Sequence, residues 1–144
     1  MSSKLYATFV LDDILLGVEA TMVQEVLAHQ QLAQIQLAPP EVVGLMNLRG
    51  QVVVTLDLRG RLGMPAKAVD PSMVNVVLRT PSGAVSVLVD SVRDVLEVAD
   101  HDLVVPPVTL SPHMARYVTA VHKLDGELLL LLDAVGVTEP MVLS

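Results

Sequence analysis

The 144-residue chain has no cysteine, no tryptophan and only three aromatic residues, Tyr6, Phe9 and Tyr117. The missing cysteines exclude disulfides, thiol catalysis and cysteine-ligated metal sites. The scarce rings and a net charge of −7, from nine Lys/Arg against sixteen Asp/Glu, leave neither the basic footprint nor the stacking platform of a nucleic-acid binder. Long apolar runs are missing too. The longest aliphatic run, Leu128 to Leu132, lies between Glu127 and Asp133 and falls far short of the roughly 20 residues of a membrane-spanning helix. Near the amino terminus, Leu5 to Leu11 is interrupted by Thr8 and cut by Asp12-Asp13, without the small-residue cleavage site of a signal peptide. A soluble, cytoplasmic protein is expected. No G-x-S-x-G elbow, G-x-x-x-x-G-K-[ST] loop or G-x-G-x-x-G turn occurs, and His29, His101, His113 and His122 lack metal-ligand spacing. Hence no catalytic residue, no cofactor site and no metal site is expected.

What the chain does have is aliphatic mass, with 52% hydrophobic residues carried by Val, Leu, Ile, Ala and Met. Its length suits one domain, or two small units sharing a core. Strand-like runs alternate with turn signals. Leu5–Leu11 and Ile14–Val18 read as a hairpin about Asp12-Asp13, and Ala20–Ala28 as a short helix, with an extended alternative from its valines. Gln34–Leu37 reads as a short strand ended by Pro39-Pro40. Val42–Leu48 and Val52–Leu56 flank Arg49-Gly50-Gln51, and Asp57 caps a helical turn over Leu58–Gly63. After a linker at 66–71, strands are expected at Val74–Arg79, Val85–Val89, Val92–Val98, Arg116–Leu124 and Leu128–Leu132, with a last helical turn over Asp133–Val137.

The second half echoes the first. Val18, Val23, Glu25 and Val26 map onto Val87, Val92, Asp94 and Val95 at a constant spacing of 69. Leu48, Gly50 and Asp57 map onto Leu124, Gly126 and Asp133 at 76. The pattern reads as an internal duplication forming two small barrel-like lobes, with a longer loop in the second. Arg49, Arg59, Arg61 and Lys67 cluster against the single acid Asp57. They are expected to form either a solvated surface or a basic patch that orients an acidic partner.

The most specific stretch is Gly44-Leu45-Met46-Asn47-Leu48-Arg49-Gly50, followed by Val52-Val53-Val54 and Asp57-Leu58-Arg59. With Gly17-Val18 followed by Met22-Val23-Gln24-Glu25-Val26, and with Val89-Asp90-Ser91-Val92, it resembles the CheW-like coupling proteins over residues 4 to 138. Val54, Ser86 and Ala120 depart from residues common in that family. The resemblance implies a mainly β fold of two five-stranded, SH3-like barrels with short helices in a single domain, 1–144. Subdomain 1 is expected at about 14–68 plus a terminal strand, and subdomain 2 at about 4–13 and 69–138. It also implies a non-enzymatic adaptor between the tip of a methyl-accepting chemoreceptor and the regulatory domain of a CheA-type histidine kinase, peripheral to membrane-bound arrays and capable of self-association in rings. Mapped residue by residue, the partner-binding positions are Val23, Glu25, Gly44, Asn47 and Arg49; kinase contacts stay unassigned. Val23 fits core or groove, Glu25 a solvated face or the groove, Gly44 a close backbone approach or the site, and Asn47 a turn brace or the site. Arg49 fits a partner contact or a tie between lobes. Gly44→Asp is expected to weaken association while the fold survives. The departures keep open a specialised scaffold or regulator that self-assembles, and a small ligand-binding or enzymatic barrel is a third reading.

Overall fold

The computed structural model describes residues 2–139. The chain opens on the expected hairpin, β1 (Ser3–Leu11) and β2 (Ile14–Glu19), which turns at Asp12 with φ 52°. A single 3-10 turn at Ala20–Met22 then leads into β3 (Val23–Leu27), the extended alternative to the short helix read there. Its β-branched valines and the ladder offered by a later strand favour the extended form there. The expected strand at Gln34–Leu37 reduces to one bridge, Ala33 to Leu45, and Leu37 is bare to solvent at φ 64°. A second hairpin, β4 (Val42–Leu48) and β5 (Gln51–Asp57), runs into α1 (Leu58–Arg61), where the Asp57 side chain accepts from Arg59 N at 3.0 Å.

The second half follows with the hairpin β6 (Val74–Thr80) and β7 (Gly83–Val89), then β8 (Ser91–Val92) and β9 (Leu96–Ala99). A 3-10 turn at Asp100–Asp102 leads to β10 (Leu103–Val104). Next comes α2 (Pro112–Tyr117), which takes the first two residues of the strand expected at Arg116–Leu124. Its start signal is local: Ser111 accepts from Met114 N at 3.2 Å, and Pro112 occupies the first turn, a position that suits a residue with no N–H. The hairpin β11 (Val118–Leu124) and β12 (Glu127–Leu132) ends on α3 (Ala134–Thr138), capped by Asp133 through Gly136 N at 3.0 Å.

Two sheets result, and each takes strands from both halves. Lobe A orders β10-β11-β12-β2-β1-β8, with β9 also on β1; lobe B orders β3-β6-β7-β5-β4. In lobe A, β8, β9 and β10 act as one bent strand that pairs with β1 at one end and β11 at the other, closing the sheet on itself. The exchange is symmetrical. The first half's β2 pairs in parallel with β12, Leu16 opposite Leu130; the second half's β7 pairs in parallel with β5, Val85 opposite Val54. Leu16 and Val85 are one repeat pair at the 69 spacing, and Val54 and Leu130 are one at the 76 spacing. Likewise Val92 opposite Phe9 mirrors Val23 opposite Leu78. The sheets therefore divide the chain differently from the expected lobe boundaries. β1 and β2 stay together in lobe A, and β6 and β7 belong to lobe B, because each hairpin is inseparable but the units joining hairpins cross over.

Alternation along the strands sorts side chains between three cores. Tyr6, Val10, Leu15, Leu129 and Leu131 fill lobe A, and Met46, Leu48, Val53 and Val77 fill lobe B. The largest cluster is the seam between lobes, with Phe9, Leu16, Val18 and Leu130 from one sheet facing Val76, Leu78, Val87 and Val89 from the other. The Leu run in β12 is thereby explained from Leu129 to Leu132, where both faces are buried.

Among the described residues one ionic tie crosses the seam. Arg59 is only 2% exposed, and its Nη2 donates to Asp12 Oδ1 at 2.8 Å in lobe A and to Asp90 Oδ2 at 2.7 Å beyond β7. Asp90 Oδ2 also accepts from Asp12 N at 2.7 Å. Burial alone would raise the Asp90 carboxyl, but Arg59, the Asp12 N–H and Lys67 together hold it below the ordinary range. Its stabilisation is therefore complete at neutral pH and is lost as pH falls below that range. Arg59→Met is expected to lower stability by roughly 2–4 kcal/mol, since it strands the partly buried Asp90 carboxylate; the half-exposed Asp12 moderates the loss. Urea unfolding at pH 7 against pH 3.5 checks this, with the gap between variant and parent narrowing in acid.

Candidate functional site

The β4–β5 hairpin turns on Arg49 (φ 50°) and Gly50 (φ 86°). Two successive positive φ values match the twist of a tight hairpin, where Asn, Asp or Gly is favoured at the first position. Asn47 braces the turn through Oδ1, which accepts from Gly50 N at 2.9 Å. Arg49 is a costly choice at such a position, and its side chain shows what offsets the cost. Its two terminal nitrogens grip Glu25 on β3, Nη1 to Oε2 at 2.5 Å and Nη2 to Oε1 at 2.8 Å. β3 and β4 are the outer strands of lobe B's sheet, so this bidentate pair straps one end of the barrel. The Arg49 hydrogen bonds hold the Glu25 carboxyl below its ordinary range. The strap is thus intact at neutral pH and weakens as pH falls through that lowered value. The outer face of Arg49 stays exposed.

Gly44 has a packing reason. A Cβ there would lie 2.8 Å from Ala33 O and 3.1 Å from Leu32 Cβ, because Ala33 and Leu45 exchange backbone hydrogen bonds at 2.8 Å beside it. The expectation that Gly44→Asp spares the fold is thereby corrected. Val23 packs on the seam, next to rather than within the strap. The basic cluster forms neither of the two arrangements expected for it, a solvated surface or a basic patch. Arg59 is enclosed by the clamp, and Arg61, 9% exposed, points inward to the carbonyls of Val137 and Glu139. Lys67 leans on Asp90 at 3.9 Å. Arg49 is the most exposed of the four, and Lys67 is about half exposed.

The same hairpin carries a feature sequence reasoning missed. Along the outer side of β5 runs a groove of about 440 Å³, with Val52, Val54, Leu56 and Val85 as floor and Glu41, Arg61 and Thr138 at its edges. Val52 is 69% exposed and Val54 36%. Of their repeat partners, Leu128 is likewise exposed, but Leu130 is buried in the seam cluster together with Met114 of α2. The first half has no helix equivalent to α2, so the face around Val54 stays open. The signal was available as Val-Val-Val before Asp57, but an apolar run alone does not show which side remains uncovered. Among the described residues no group of three His, Cys, Asp or Glu is placed to hold a metal, and no helix is long and apolar enough to cross a membrane.

The fold and site define a two-barrel module whose distinctive surface is an aliphatic groove ending near an arginine-strapped turn. Residues 5–139 match the CheW-like domain, and the chain belongs to that family. It is 35% identical over 98 residues to the chemotaxis protein CheW of Rhizobium meliloti (strain 1021), a match covering 67% of this chain and 62% of that protein. It is 29% identical over 117 residues to the chemotaxis protein CheW of Klebsiella aerogenes, covering 81% and 70%. The crystal structure of the scaffolding protein TtCheW from Thermoanaerobacter tengcongensis superposes at a TM-score of 0.84 with 21% identity, over 96% of this chain and 94% of that one. This likeness establishes the shared two-lobed fold.

Gly44→Asp should lower stability by about 1–3 kcal/mol through overpacking. Asn47→Ala should lower it by about 0.5–1.5 kcal/mol through loss of the turn brace. Thermal melts measure both, and amide exchange should place the Gly44 effect at Ala33 and Leu45.

Proposed function

We propose that this protein is a non-enzymatic adaptor that couples the tip of a chemoreceptor to a CheA-type histidine kinase. The observation that carries the reading is the open aliphatic groove along β5, on the hairpin whose turn presents Arg49. A groove floored by valines accepts the apolar face of an amphipathic helix, while a guanidinium nearby engages a carboxylate or carbonyl on the partner. Family membership and the chemotaxis names of the relatives support the same reading. Glu25 holds Arg49 extended across the barrel end, so the arginine is ordered before the partner arrives, which lowers the entropy cost of using it. Val23 and Gly44 serve the site by supporting β3 and β4, and Asn47 by fixing the turn. Cytoplasmic placement at the receptor arrays and self-association into rings belong to this proposal.

The test is association with a soluble receptor-tip fragment. Val54→Asp puts a charge on the groove floor and is expected to weaken binding by at least about tenfold, the loss of one anchor. Arg49→Ala should weaken it less, and both should keep the parent's circular dichroism. Folded variants that bind like the parent would contradict the proposal.

A further inference from the structure

The duplication lets one half report on the other. In the first half, Arg59 fills a clamp made by Asp12 and Asp90. At the 76 spacing its counterpart is Val135; at the 69 spacing the counterparts of the two acids are Pro81 and Thr21. The second half therefore lacks the guanidinium and its original acids. Space remains where the long side chain would lie. A cavity of about 110 Å³ sits between Val135 and the Pro81 turn, and a second, of about 250 Å³, opens on the other side of Val135 at the mouth of lobe A.

The larger cavity has a two-part lining. Met22, Leu131 and Val135 form an apolar floor, and Tyr6, Glu19 and Asp133 bring polar groups to the rim. Glu19 Oε1 takes the Lys4 ammonium at 2.8 Å, leaving Oε2. Asp133 spends Oδ1 on Gly136 N, and among the described residues no cation lies within salt-bridge distance of it. Tyr6 is 7% exposed, and none of the hydrogen bonds among the described residues ends on its hydroxyl. A phenol with a buried ring and an accessible hydroxyl, one carboxylate without a cation and one half-used carboxylate thus surround an apolar slot. The slot borders Val135, the counterpart of Arg59, on the side away from the Pro81 turn.

We propose that the mouth of lobe A is a socket for one arginine side chain of a partner protein. The stem lies along Met22, Leu131 and Val135, and the guanidinium donates to Glu19 Oε2, Asp133 and the Tyr6 hydroxyl oxygen. An arginine suits the slot because a planar fork can serve several acceptors at once. The protein's net negative charge favours a basic partner. The socket lies on lobe A, away from the lobe B groove, so this proposal and the receptor reading fail separately.

The probe is N-acetyl-arginine methylamide, titrated into the 15N-labelled full chain and followed by NMR, with the neutral citrulline analogue as control. Saturable shifts are expected at Tyr6, Thr119 and Asp133–Gly136, with citrulline at least tenfold weaker. Glu19→Gln and Asp133→Asn should each weaken binding several-fold; the asparagine keeps the helix cap, so the fold is spared. Val135→Arg supplies the guanidinium from within and should abolish binding of the probe. Equal binding of citrulline, shifts that never saturate, or unaltered titration in Glu19→Gln and Asp133→Asn would overturn the socket. A lysine probe binding more tightly than the arginine probe would overturn the choice of arginine.

Discussion

Everything in this molecule depends on the seam where the two exchanged sheets face each other. Each lobe is assembled from one hairpin of each half, joined by a parallel pairing that repeats with the same register on both sides. Neither half can bury its hairpins alone, and neither lobe keeps its sheet if the other half leaves. The seam residues, Phe9 and Leu16 against Val76 and Val87, supply the cohesion, because burial of aliphatic surface is the dominant favourable term in folding. Arg59 adds direction by fixing one turn of lobe A against the end of β7.

Much of this was legible in the residues. The spacings of 69 and 76 correspond to the strand pairings without slippage, and Asp57 and Asp133 cap equivalent helices. The exchange of hairpins was not legible, because alternation shows that a strand has two faces but not which neighbour it takes. Ala20–Ala28 stayed open between helix and strand because Met22, Val23, Val26 and Leu27 satisfy a helical period as well as a bent strand. The basic cluster misled because charge in sequence says nothing about direction. Arg59 and Arg61 turn inward, to carboxylates in one case and to carbonyls in the other. Glu25 and Arg49, far apart in sequence, meet because barrel closure brings β3 beside the β4–β5 turn.

Divergence between the halves then accounts for the functional surfaces. Where the second half gained α2, its β12 face is covered; where the first half has none, β5 shows a groove. Where the first half keeps Arg59, the clamp is closed; where the second has Val135, cavities open. A symmetrical duplication thus becomes a module with distinct faces, each shaped by a helix or a side chain that only one half possesses. The aliphatic excess in the composition follows from the same cause, since the chain must fill two barrel interiors and a seam while leaving a groove floor uncovered.

The exchange of strands makes a sharp claim about cooperativity: the two lobes cannot unfold independently. Native-state amide exchange across a denaturant series measures this directly. Amides of Val54 and Val85 in lobe B and of Leu16 and Leu130 in lobe A are expected to share one opening free energy and one denaturant slope. Two separate groups, with one lobe exchanging through an opening that leaves the other protected, would contradict the account.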